Sequence, residues 1–340
     1  MNGRFFILRI ILIGFIFQII SCDSPEKEVK GPEIAIESED PVIIGLTKAI
    51  SENPENPEMY FERAKILNDR ELYDPAIDDL QKAISLDSSK AEYYHLLSDT
   101  YLDYYKSGEA LDVMEKVAEK FPNRIPSLLK LAELQLILKQ YDASFFTVQK
   151  IMNQDKQNAE GFFMMGMIYR AQGDNDRAIN SFQSAVELDP EIVDAWIILG
   201  DLFADKDFKI AERYYDNAIR LDPENLQAYH AKAFYLQNSD RVSEAIDLYK
   251  EINVRDPQYA DAYLNTGILY LDQDSLNQAF EHFDILVKID PQNYLGYYYR
   301  GIARMFNGDK VGARADLNQA LKFNSTFEKA EIALRELETL

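Results

Sequence analysis

Large apolar, small and polar residues fall in columns along this chain, spaced three, four and seven apart and renewed every 34 residues. One column is large: Tyr60, Tyr94, Leu128, Phe162, Trp196, Tyr229, Tyr263 and Tyr297. Four residues after each stands a small one: Ala64, Ser98, Ala132, Gly166, Gly200, Ala233, Gly267 and Gly301. A second small column holds Ala76, Ala110, Ser144, Ala178, Ala211, Ala245, Ala279 and Ala313. Four residues later come Leu80, Met114, Val148, Phe182, Tyr215, Tyr249, Phe283 and Leu317. Spacings of this kind lie along one face of an α-helix. Each period therefore predicts two helices joined by a short polar turn, such as Gln172-Gly173-Asp174-Asn175. The small residues mark where two backbones approach and receive large side chains from the facing helix. The period slips once, by one residue before Ala211.

The second helix of each unit is expected to stop at Pro122, Pro190, Pro223, Pro257 or Pro291, since proline lacks an amide donor and disfavours helix at the preceding residue. Three units carry Ser88, Lys156 or Ser325 there instead, and their ends are expected to be less sharply defined. The third unit departs most, with Gln135, Ser144 and Lys156 in place of an aromatic, an alanine and a proline.

Two stretches fit the pattern best: Phe162-x2-Met165-Gly166-x2-Tyr169 with Ala178-x3-Phe182 and Pro190, and Trp196-x2-Leu199-Gly200-x2-Phe203 with Ala211-x3-Tyr215 and Pro223. They resemble the tetratricopeptide repeat family. The resemblance implies an all-α fold, a right-handed superhelix (α-solenoid) of eight helix-turn-helix repeats over 57–327: 57–90, 91–124, 125–158, 159–192, 193–225, 226–259, 260–293 and 294–327. A capping helix is expected at 41–56, and another at 328–340, with Ile332, Leu334 and Leu337 covering the last repeat.

The N-terminus is of different composition. Residues 1–21 carry Arg4 and Arg9, an apolar run from Ile10 to Ile20, and no acid, which reads as a secretory signal segment. Its end, Ile19-Ile20-Ser21-Cys22, resembles a bacterial lipobox, so Cys22, the single cysteine, is the expected lipidation site. Residues 22–40 read as an acidic tether with a reach of roughly 20–25 Å. The acids after Cys22 resemble a lipoprotein surface-export signal of Bacteroidetes-type bacteria. Asp23 also resembles the enterobacterial inner-membrane retention signal. The expected location is the bacterial cell envelope, lipid-anchored, with the outer membrane favoured and its face open.

Formal net charge is −22. Loss of Arg4 and Arg9 with the leader would leave −24, which argues against nucleic acid as a partner. No phosphate loop, HExxH, CxxC or GxSxG occurs. His95 and His230 share a column four repeats apart, too far to share a metal; His282 is expected on an exposed helix face, and Asp78-Asp79 as solvated carboxylates. Hence neither catalysis nor a cofactor or metal is expected.

In the resembled family the first helix of each repeat lines a concave groove. Carried over, that implies a partner site of Glu58, Phe61, Glu92, His95, Asp99, Leu129, Glu133, Glu160, Phe163, Met167, Asp194, Ile197, His230, Phe234, Asp261, Leu264, Ile268, Tyr298 and Ile302. Acids concentrate in the first five repeats and apolar residues in the last three, so the expected partner is a protein or peptide segment with a basic and an apolar part. A non-enzymatic envelope scaffold is the leading reading. A glycan-binding lipoprotein, or a non-catalytic subunit of an envelope enzyme complex, are the alternatives.

Overall fold

The computed structural model describes residues 40–204 and 208–339; the expected signal segment, Cys22 and the tether up to residue 39 lie outside them. Among the described residues there are 18 helices and no strand. Helix α1 (Pro41–Glu52) comes first. Four pairs follow: α2 and α3 (Pro57–Asp69, Tyr73–Leu86), α4 and α5 (Ala91–Asp103, Ser107–Lys120), α6 and α7 (Ile125–Ile137, Tyr141–Gln154), and α8 and α9 (Ala159–Ala171, Asn175–Leu188). The next four are α10 and α11 (Val193–Phe203, Phe208–Leu221), α12 and α13 (Leu226–Asn238, Val242–Arg255), α14 and α15 (Ala260–Asp272, Leu276–Ile289), and α16 and α17 (Tyr294–Phe306, Lys310–Phe323). Helix α18 (Glu328–Thr339) closes the stack. Paired helices of 11 to 14 residues are marginal alone, so packing between neighbours holds them.

That packing follows the columns. Every residue of the second small column is fully buried, and so are the large residues four positions on, Tyr215 being 1% exposed. A Cβ on Gly200 would lie 2.5 Å from the Tyr215 ring, and one on Gly267 equally close to Phe283. The two small columns also face each other. Ser98 Oγ donates to the Ala110 carbonyl at 3.2 Å, and Ser144 Oγ to the Ala132 carbonyl at 2.7 Å. A buried hydroxyl is tolerated there because it finds an acceptor across the crossing.

The expectation of looser ends in repeats without the proline is corrected. Helices α3, α7 and α17 stop at the same register as the others. An aspartate or asparagine directly after the helix is the more common stop signal. Asp87, Asp155 and Asn324 accept from the amide two residues on, at 2.9, 3.0 and 3.2 Å. Asp189, Asp222, Asp256 and Asp290 do the same in front of their prolines. Such Asx turns end a helix without proline. The third repeat is equally regular, since Thr147 Oγ1 donates to Gln135 Oε1 at 2.8 Å inside the core.

The turn inside each repeat has its own signature. The amide of Leu72 bonds back to the Leu67 carbonyl, and those of Lys106, Gln140, Asp174, Arg241, Ser275 and Asp309 repeat the bond. This geometry places one residue in left-handed backbone, usually glycine. Here Gly173 and Gly308 occupy it, but so do Glu71, Tyr105, Lys139, Asp240 and Asp274. Tyr105 is 95% exposed, so its side chain gives little in return. Tyr105→Gly and Lys139→Gly are each expected to stabilise the fold by about 1 kcal/mol. A urea midpoint that falls in both would contradict this.

First helices of successive repeats touch directly, α2 with α4, α4 with α6, α6 with α8, α10 with α12 and α14 with α16. Second helices have at most marginal contact of this kind. The stack therefore curves with first helices on the concave side.

Candidate functional site

The concave face carries a row of carboxylates. Asp99, Glu133, Glu160 and Asp194 are half-buried on α4, α6, α8 and α10. Burial pushes all four carboxyls above the ordinary carboxylate range. Asp99 keeps an ion pair with Lys130. Glu160 and Asp194 have no cation opposite them among the described residues. Asp201, on the same face, is raised by burial even though it accepts from the Tyr215 hydroxyl at 2.9 Å.

A carboxyl raised in the folded state favours folding below its unfolded pKa and loses that advantage as pH rises through the folded value. At neutral pH these charges therefore cost stability. Glu160→Gln and Asp194→Asn are each expected to raise the urea midpoint at pH 7, with the gain shrinking towards pH 4. A midpoint that drops would mean the carboxylates are structural.

The rest of the site divides. Glu58 accepts from the Tyr93 hydroxyl at 3.0 Å, and Phe61 lies against the Tyr93 ring. Glu92 is paired with Arg124 at 2.7 Å. Phe163 and Met167 pack half-buried on the core around Phe182. His230 Nε2 accepts from the Asn265 side-chain amide at 3.1 Å, and its ring lies edge-on to Tyr249 and tilted against Tyr259. Leu264 and Ile268 are partly buried against the Phe283 cluster, and Tyr298 against Phe327. Asp261 is exposed, and Phe234 is 51% exposed.

Three groove assignments are corrected, and three others outside the groove. Leu129, Ile197 and Ile302 belong to the core and are 5%, 4% and 9% exposed. Neighbouring repeats overlap there, and a branched apolar residue fills the gap between consecutive first helices. Phe306, at the end of α16, is instead 62% exposed. His282 is half-buried rather than exposed: its Nδ1 meets the Gln278 carbonyl at 2.8 Å, and its ring lies beside Tyr263 and Tyr270. Asp79 is not solvated, being 5% exposed and held by both arms of Arg63 at 2.7 Å. Ile332 faces solvent, whereas Leu334 and Leu337 cover the last repeat as expected, together with Ala330 and Ala333.

His95 sits 2.8 Å from Ser127 Oγ, and its pKa is pushed down to about 4 by burial, then by Lys130 and Arg124. A depressed histidine stabilises the fold above its unfolded pKa, and that contribution is lost as pH falls from 6.5 towards 4. Wild type should lose roughly 2–3 kcal/mol over this range that His95→Gln does not lose. Parallel acid-side slopes in the two proteins would place His95 in a wetter setting.

Lys130, Arg124 and Ser127, which surround His95 and Asp99, were not legible as site residues. Their positions carry different residues in neighbouring repeats, so no column points to them.

Tetratricopeptide repeat family models match residues 57–90, 163–207 and 230–294. Tetratricopeptide repeats are thus detected over those residues, and the fold is that of a tetratricopeptide repeat solenoid. Among curated proteins it is 24% identical to the DnaJ homolog subfamily C member 7 homolog of Dictyostelium discoideum, over 92% of this chain and 61% of that one. It is 23% identical to the TPR repeat-containing protein YpiA of Bacillus subtilis, over 74% of this chain and 62% of that one. The chain thus spans about 61–62% of the length of these relatives. A solved C-terminal part of a TPR repeat-containing protein from Cytophaga hutchinsonii superposes with a TM-score of 0.54 at 19% identity, covering 70% of this chain and 98% of that one. The APC/C hetero-tetramer Cut9–Hcn1 gives 0.54 at 13% identity, covering 87% of this chain and 58% of that one. These likenesses show the fold.

Proposed function

We propose that this protein is a non-enzymatic scaffold whose concave face holds a partner segment with a basic part against repeats two to five and an apolar part against repeats six to eight. Tetratricopeptide repeat proteins bind protein or peptide partners. The observation that carries the finer reading is the desolvated, cation-free state of Glu160 and Asp194. Side chains that cost stability without a structural partner are the kind a binding face retains. Lysine or arginine from a partner would supply the missing counter-charge, and Phe234 and Phe306 would anchor the apolar part.

The test is a titration with two synthetic peptides of equal length, one with a lysine-rich half and an apolar half, one with the lysines changed to glutamate. Glu160→Gln with Asp194→Asn is expected to weaken binding of the first peptide at least tenfold at low salt, and Phe234→Ala to weaken it independently of salt. Equal affinity of wild type for both peptides would end the reading.

The same proposal places the scaffold on the bacterial envelope through a lipid on Cys22, supported by the Ile19-Ile20-Ser21-Cys22 sequence. Metabolic labelling with an alkyne palmitate should tag the wild-type chain and not Cys22→Ala. Absence of label in both would remove the anchor.

A further inference from the structure

Among the described residues, helix α1 is a second helix without a first. Its residues Val42, Leu46 and Ala49 stand 34 positions before Ala76, Leu80 and Ala83. Asn53-Pro54 stands where Asp87 and Ser88 close α3, and the Asn53 amide bonds to the Ala49 carbonyl as that of Asp87 does to Ala83. Contacts agree, because α1 packs on α2 as α3 packs on α4. Ile43 and Ile50 make that contact and are buried.

The other side of α1 is open. In all eight complete repeats the corresponding three positions are covered by the first helix of the same repeat, and none is more than 1% exposed. On α1, Val42 is 56% exposed and Leu46 and Ala49 are only half-buried.

The sequence 34 residues before α2 lacks the first-helix pattern. Residues 23–35 read DSPEKEVKGPEIA, with Glu26 at the large position, Lys30 at the small one and a proline at 32. A second copy of this chain does not supply it either. Its eight first helices are each engaged with their own second helix. Helix α18 occupies a ninth first-helix place, touching both α16 and α17, but it presents Glu331, Arg335 and Glu338 on the matching side. The C-terminal end of the array is thus polar, whereas the N-terminal end is apolar.

We infer that the open side of α1 docks an amphipathic helix from another polypeptide, one carrying a large apolar residue, then a small residue four positions later, then a large one three further on. Eight equivalent interfaces in this molecule define the chemistry of that helix. The docked helix completes a ninth helix pair in trans and is separate from the concave groove.

The test uses the full chain and a fluorescent peptide of residues 159–172 (AEGFFMMGMIYRAQ) with a glutamate tail for solubility, which the acidic groove repels. This peptide is a first helix of the chain itself and has the required pattern. Expected are saturable binding, slower hydrogen exchange in α1, and at least a tenfold loss of affinity in Val42→Glu. Leucine at the glycine in the middle of the peptide should also abolish binding, because the backbones can no longer approach. Glu160→Gln with Asp194→Asn should leave this binding unchanged, which keeps the inference distinct from the groove reading. Undiminished binding to Val42→Glu, or no protection of α1, overturns it. So does concentration-dependent sedimentation without peptide that Val42→Glu abolishes, since a second copy would then cover the face.

Discussion

Arg300→Ala is expected to lower the unfolding free energy by about 3–5 kcal/mol, the range for breaking a buried ion pair from one side. The guanidinium is 13% exposed. It forks onto both oxygens of Asp316 at 2.9 and 2.7 Å and reaches Asp284 on the preceding helix at 2.8 Å. Asp316 is 3% exposed, so removing the arginine strands a carboxylate in the interior. Arg304, also bonded to Asp316 at 3.0 Å, would relieve part of the cost. Replacing Arg300 and Asp316 together by Met and Leu should recover much of the loss, because the desolvation of both charges disappears with them. Contacts in a solenoid run between neighbours, so hydrogen exchange should quicken in α16 to α18 and stay slow in α2 to α9. A loss below about 1 kcal/mol would mean that the pair behaves as a surface bridge.

Arg63 occupies the equivalent place in the first repeat, holding Asp79 within its own repeat and Thr47 on α1. Four interior repeats have Leu97, Leu131, Met165 and Leu199 there, and the other two have Lys232 and Thr266. The arginine fork is thus confined to the two terminal repeats. Each arginine also reaches the second helix before it, Arg63 to Thr47 on α1 and Arg300 to Asp284 on α15, and Lys232 reaches Asp216 on α11 in the same way.

Phe283→Ala is expected to cost about 3–5 kcal/mol, since a fully buried ring leaves a cavity that the helices cannot close. Its partner is Gly267, where an added methyl would enter the Phe283 ring, and Gly267→Ala alone should cost about 1–3 kcal/mol by overpacking. The informative variant combines Gly267→Ala with Phe283→Leu. It rebuilds the pair present in the first repeat as Ala64 and Leu80, both fully buried. The double variant should be more stable than the sum of the two single changes predicts, by 0.5–3 kcal/mol, the usual size for residues in contact. Strict additivity in thermal or urea unfolding would show that the glycine column is not a steric partner of the ring column.

The columns were legible because each small residue is paired with its large partner over and over at fixed distance along the chain. Positions that break column identity were not. Asp79 looked like one of two adjacent surface acids until Arg63, 16 residues before it, was seen to hold it. The helix stops were read from proline, the conspicuous residue, although the aspartate before it carries the hydrogen bond and serves where proline is missing.

The linear order of small, large and polar residues determined that this chain makes paired helices, where each begins and ends, and that they stack into a solenoid. Local backbone preference and one repeated steric match suffice for that. Which groove residues face solvent depended on the curvature of the stack, which draws consecutive first helices together. That overlap took Leu129, Ile197 and Ile302 into the core, left Phe234 at the surface and left Glu160 and Asp194 half-buried. Curvature is a sum over many small inter-repeat rotations, and no single position along the chain encodes it.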